Sequence, residues 1–262
     1  MDEKYNRFVD ETMFSRQLLG IGLTSLRKAS FANRGLYFQA LSSISLGLER
    51  LMKLCLLLDD YNKNGKYTSR KEMKDYGHNL QKLFKQITER SKKTNNLSDI
   101  HIRVLELLTE FAQSSRYSNV DFITNDHDND PMKTWHNSID KYIYEKILND
   151  RQRNRIEEKC ELSRNIGDGL PAFTIGYYDE NRKPIDSVGE LYSLEKRSEI
   201  LAGYRTLLVI NIIECIYKIL HSMSRESTDP YFRCLELNRI FATITYGSDS
   251  EKIKRKDFNR MS

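Results

Sequence analysis

"RGLYFQALSSISLGLERLMKLCLLLD", residues 34–59, sets Leu41, Ile44, Leu48, Leu51, Cys55 and Leu58 alternately three and four positions apart, which puts them on one stripe of an α-helix. A stripe this long needs neighbouring helices to cover it. The same spacing predicts a helix over residues 3–29, with Phe8, Met13, Leu18 and Leu19 among its apolar positions. A third helix is expected to begin near His78 and to carry Leu80, Leu83, Phe84 and Ile87; a fourth, over 97–115, carries Ile100, Val104, Leu107, Leu108 and Phe111. Trp135, Ile139 and Tyr142 mark a fifth running towards Cys160, and two more are expected at 189–202 and 204–224.

With only 12 Gly and 4 Pro in 262 residues, the composition favours helices over turn-rich β architectures. The expected fold class is mainly all-α: a helical bundle over 1–160, then a helical extension over 161–262. Within the extension, Phe173, Ile175 and Tyr177 alternate with small or polar neighbours and "DENRKP" can turn the chain, so a short β-hairpin is expected near 169–186. The terminal "SEKIKRKDFNRMS" reads as a frayed basic tail.

A net charge of +5 permits an anionic partner without demanding one. Its distribution is lopsided: residues 61–93 hold ten Lys/Arg against three acids, while 121–130 hold Asp121, Asp126, Asp128 and Asp130 and no basic residue. "DHDND" at 126–130 lacks the glycine and terminal Glu of a calcium loop and reads as an acidic surface loop, so no metal or cofactor is expected. Cys55, Cys160, Cys215 and Cys234 lie far apart without ligand spacing and read as reduced core residues. The first thirty residues mix Asp, Glu, Lys and Arg among their apolar positions and hold no signal-peptide core, and the apolar run at 207–220 is broken by Asn211, Glu214 and Lys218, so a cytoplasmic protein without a membrane span is expected.

Three places can carry chemistry. His78 follows Gly77 where a helix begins; in a first turn the exposed amide dipoles disfavour a second positive charge and leave a neutral, titratable imidazole. The structural alternative is a ring that hydrogen-bonds to a neighbouring helix. Arg116, in "SSRYSNVD", offers a guanidinium fork to a phosphate, or else counters the dipole of the preceding helix with Tyr117 packed below it. Glu49 and Lys53 are spaced for an ion pair along one helix face.

Taken in order, "SLGLERLMKLCLLL", "YGHNLQKLF" and "SSRYSNVDF" resemble the HEPN family of helical-bundle proteins from bacterial conflict systems. The resemblance covers residues 34–125. It sets Glu49 and Lys53 on the family's Glu-x-x-x-Lys helix, His78 and Leu80 on its histidine-bearing helix start, and Arg116 and Tyr117 on its Arg-Tyr segment. It implies an up-and-down bundle and a metal-independent endoribonuclease or toxin, acting in phage defence, whose homodimer joins two copies of an arginine–histidine motif. On that reading His78, Arg116, Glu49 and Tyr117 form the catalytic set, and Lys71, Lys74, Lys82 and Lys85 hold RNA. The sequence departs from the pattern in one respect. Catalytic members place an arginine shortly before a histidine, and none of His78, His101, His127, His136 or His221 has one there. Either the site is assembled from separated segments, such as His78 with Arg116, or the chain is a non-catalytic module that binds a partner protein or nucleic acid. A small-molecule enzyme with 169–185 as its lid is the third reading.

Overall fold

Helix α2 (Arg34–Asn64) lies at the centre of the computed structural model, which describes residues 3–91, 97–125, 129–170 and 176–260. All six stripe residues are buried, and so are Tyr37, Met52, Leu54 and Leu56 on its other faces. The stripe predicts one covered face, but α2 is covered from several sides. Helix α1 (Glu3–Lys28) packs along it, joined by a 3₁₀ turn at Phe31–Asn33; α4 (Leu80–Arg90) and α5 (Asp99–Gln113) cover a second side, and α9 (Val188–Arg225) a third. Each fully buried aliphatic side chain contributes about 1.5–3 kcal/mol, so this shared core holds the helices together. The protein is an all-α helical bundle.

Smaller elements complete it. Helix α3 (Arg70–Asp75) forms in the polar stretch that the sequence reading leaves as a turn, because Ser69 and Glu72 close a capping box around its start. Helix α6 (Ser118–Asn125) follows α5. Helix α7 (Pro131–Trp135) leads into two π-helical segments, His136–Asp140 and Ile143–Ile147. Helix α8 (Asp150–Asp168) runs through residue 160, where the bundle and the extension were expected to meet, and packs along α9. Three short helices close the chain: α10 (Pro230–Arg233), α11 (Leu237–Thr245) and α12 (Asp249–Lys254).

Two expectations change. The two helices at 189–202 and 204–224 are one 38-residue helix, α9, and the intervening Gly203 does not break it. Gly203 is there for a close approach: a Cβ at this position would lie 2.5 Å from the Ile253 carbonyl oxygen of α12. Gly203→Ala is therefore expected to push α12 away and to cost about 1–3 kcal/mol, read as a lowered urea midpoint at unchanged slope.

The basic tail is docked, not frayed. Phe258 is fully buried, its amide donates to Thr24 Oγ1 at 3.0 Å, and its carbonyl accepts from the buried Arg16 at 3.1 Å. In the region of the expected hairpin, Phe173 and Ile175 lie outside the described residues. The remainder is a turn: the Asp179 amide donates to the Lys183 carbonyl, Arg182 takes a φ of 66°, and a single antiparallel bridge joins Tyr178 and Pro184, with no strand among the described residues.

Helix α9 is long and apolar enough to cross a membrane by length and composition alone, and 61% of its most apolar window is buried inside the bundle. Cys55 and Cys160 are buried core residues, but Cys215 is half-buried and Cys234 exposed, and among the described residues none of the four cysteines forms a disulfide.

Candidate functional site

His78 lies just outside helix α4, not in its first turn. Asn79 caps α4 by accepting the Lys82 amide at 2.8 Å, and Gly77, at φ 67°, supplies the left-handed backbone that turns the chain out of α3. The first amide of α4, at Leu80, donates to Thr109 Oγ1 on α5 at 3.1 Å and fixes this corner to the bundle.

From that corner His78 reaches back to α2. Its Nδ1 lies 2.9 and 3.0 Å from the two carboxylate oxygens of Glu49, and Lys53 Nζ, one turn along α2, lies 2.8 Å from Oε1. The Glu49 side chain is only 12% exposed, whereas that of His78 is 72% exposed. A shielded carboxylate thus holds an imidazole out towards solvent. With Nδ1–H donating to Glu49, the ring lone pair sits on Nε2, where it can accept a proton. Glu49 and Lys53 do pair along one helix face, and the same carboxylate also orients His78.

Around this corner Lys71 and Lys74 of α3 and Lys82 and Lys85 of α4 are exposed; Lys85 has a weak partner in Glu89 at 3.8 Å. Arg116 and Tyr117 sit on the 3₁₀ turn Ser115–Tyr117 that ends α5. The Arg116 guanidinium donates to the Ala112 carbonyl, the contact expected of a cation at a helix C-terminus. Among the described residues no hydrogen bond or ion pair joins it to His78. Both groups do lie at the same end of the α4–α5 pair, since Thr109, which anchors Leu80, is seven residues before Arg116. Tyr117 is not packed below the arginine: the residue is 64% exposed, and Val120, Phe122 and Ile123 of the following α6 are exposed as well.

Asp126, His127 and Asp128 lie outside the described residues. Among the described residues no cluster of three or more His, Cys, Asp or Glu side chains could hold a metal ion.

A second constellation joins residues that no motif in the sequence marks. Arg205 of α9 and Asp140 of the first π segment, 0% and 1% exposed, form a bidentate pair at 2.5 and 2.6 Å. His136 Nδ1 is 3.3 Å from Asp140 Oδ2, the Tyr37 ring lies 5.5 Å from the Arg205 guanidinium, and Glu180 is buried at the tip of the 179–183 turn. Arg205 also donates to the Ala29 carbonyl and to Ser198. The available signal was an arginine inside the apolar run "ILAGYRTLLVI". With its charges mutually satisfied and its groups enclosed, this cluster holds α9, the π segment and the turn in register.

The cluster gives the turn a pH dependence. Burial pushes the Glu180 carboxyl above its ordinary value, with His136 and Arg205 opposing. His136 is raised above the ordinary imidazole value: burial, the largest influence, acts downward, and is outweighed by the hydrogen bond to Asp140 and the charges of Glu180 and Asp140, against an opposing Arg205. Both groups hold protons more tightly folded than unfolded. Their contribution is therefore fully present below the ordinary carboxylate range and declines as pH rises through the raised values of Glu180 and then His136. Amide protection at Asp179 and Ile185 is expected to fall between about pH 5 and pH 8, measured as hydrogen-exchange protection factors; His136→Gln should flatten the upper part of that fall, and protection that rises with pH would contradict it.

No family model, curated protein or solved structure matches this chain. The functional reading therefore rests on these residues and their geometry.

Proposed function

We propose that the protein is a HEPN-like, metal-independent endoribonuclease acting in a conflict system such as phage defence, with His78 as its working base. The observation that carries this reading is the solvent-facing imidazole held through Nδ1 by the shielded Glu49 carboxylate. The exposed lysines of α3 and α4 attract the RNA backbone, and Arg116, at the same end of the bundle, contacts the scissile phosphate. Nε2 of His78 takes the proton of a ribose 2′-hydroxyl, whose oxygen attacks phosphorus. The bond from phosphorus to the 5′-oxygen breaks, and that oxygen takes a proton from the imidazolium of a second copy in a homodimer, leaving a 2′,3′-cyclic phosphate and a 5′-hydroxyl. Glu49 positions the imidazole.

Incubation with total RNA in EDTA tests the proposal. Wild type is expected to give fragments with cyclic phosphate ends, and His78→Ala to lose on the order of a hundredfold in rate. Glu49→Gln should retain RNA binding while shifting the pH profile. RNA left intact by wild type overturns the reading. One observation favours a second: the Arg116 guanidinium is bonded to the Ala112 carbonyl, and among the described residues no hydrogen bond or ion pair joins it to His78. On that reading the same basic corner binds RNA or a partner protein without cleaving it, and gel shifts without fragments are the expected result.

A further inference from the structure

A cavity of about 530 Å³ opens on another part of the bundle, between the end of α1, the start of α9 and the tail. None of its lining residues belongs to the Glu49–His78 corner. Four cations line it: Arg27 and Lys28 from the last turn of α1, Lys196 from α9 and Lys256 from the docked tail. Two carboxylates, Glu195 and Glu199, stand against them, leaving an excess of two positive charges.

The cations are incompletely satisfied. Glu199 is shared between Lys196 at 2.9 Å and Lys256 at 3.9 Å. These lysines hold its carboxyl below the ordinary range, the hydrogen bond from Lys196 foremost. Arg27 donates one Nη to the Glu199 backbone carbonyl at 3.2 Å, while its Nε, shielded from solvent, has no hydrogen-bond partner. Burial chiefly, and also the nearby Arg205, press Arg27 below its ordinary value, with only Glu199 opposing. A guanidinium does not give up its proton in such a setting, so the result is a positive charge short of a counter-charge. Lys28 is exposed and makes no ion pair among the described residues. A second basic cavity, beside α10 and α11, differs: there Arg225 already donates to the Arg233 carbonyl and Arg239 pairs with Glu236.

The remaining lining suits the rest of a ligand. Tyr192 presents a partly exposed ring from α9, and Ser30, Asn33 and Ser163 supply neutral polar groups. The volume falls within the range of about 300–1,000 Å³ typical of small-molecule sites.

We infer that this cavity binds a small phosphorylated molecule carrying a planar ring, its phosphate between Arg27, Lys28 and Lys256 and its ring against Tyr192. Guanidinium and ammonium groups together match a phosphate dianion, and the aromatic face adds contact for the ring. The site stands whether or not the chain cleaves RNA.

Titration calorimetry on the full chain with adenosine monophosphate, ribose 5-phosphate and inorganic phosphate, without metal, tests the inference. The adenosine compound is expected to bind most tightly and to raise the thermal midpoint with concentration. Lys28→Gln combined with Lys256→Gln should weaken it at least about tenfold; these side chains lie at the surface, so the unliganded midpoint should not move. Tyr192→Ala should bring the adenosine compound down to ribose 5-phosphate. Absence of heat with all three probes at millimolar concentration, or binding unchanged in the double variant, overturns the proposal.

Discussion

Asp140→Ala should lower stability by about 3–5 kcal/mol, the loss expected when one member of a buried ion pair is removed and the other charge is left alone. Arg205 has no route to water at 0% exposure, and its other contacts, the Ala29 carbonyl and Ser198 Oγ at 3.2 and 3.3 Å, are neutral. Asp140 is its counter-charge, and the first π segment that carries Asp140 also places His136 beside it. The effect should appear as a lower urea midpoint, and hydrogen exchange should quicken first around 179–183, where Glu180 faces the same cluster. Asp140→Leu with Arg205→Met is the informative control. It removes both charges and puts apolar side chains in their place, so it should recover most of the loss. If the double variant were as unstable as the single one, the pair would be contributing attraction and not merely avoiding an orphaned charge.

Phe258→Ala should be nearly as damaging, at about 3–5 kcal/mol for an aromatic ring removed from a closed site. The ring is fully buried, and the Arg255 guanidinium lies 5.6 Å from its centre. Its backbone is held on both sides, by Thr24 and by Arg16. Loss of the ring should therefore free the whole tail, including Lys256, and a protease should then cut beyond α12 in the variant while sparing that region in the wild type. Equal resistance of the two proteins would show that the backbone bonds hold the tail without the ring.

Arg16 and Phe258 also show why the tail was misread. Local composition around residue 258 is basic and polar, and a single phenylalanine between charged residues gives no periodic signal. Its partner Thr24 is 234 positions away. Helices α1, α2 and α5 were legible to within a few residues because their apolar spacing is a local property. The single α9 was not: the two expected helices part at Gly203, and the packing that explains a glycine inside a continuous helix, Ile253 set against it, lies 50 positions away.

The candidate site divides the same way. Glu49, Lys53, His78 and Arg116 each drew notice from residue type and neighbours; of the two partners weighed for His78, a neighbouring helix or Arg116, the structure gives the first, through Glu49 of α2, 29 positions away. The Arg205–Asp140 pair, 65 positions apart, went unseen because its arginine lies in an otherwise apolar run and its aspartate in a segment read as an ordinary helix.

The sequence by itself determined that the chain is built from amphipathic helices, roughly where they run, and which corner carries the excess of lysine, since burial periodicity and charge are written within a few turns of chain. Only the tertiary structure decided which charges meet and which end of the chain is held. Those pairings depend on how helices far apart in sequence are brought side by side, and desolvation makes the choice of partner matter most where water is absent.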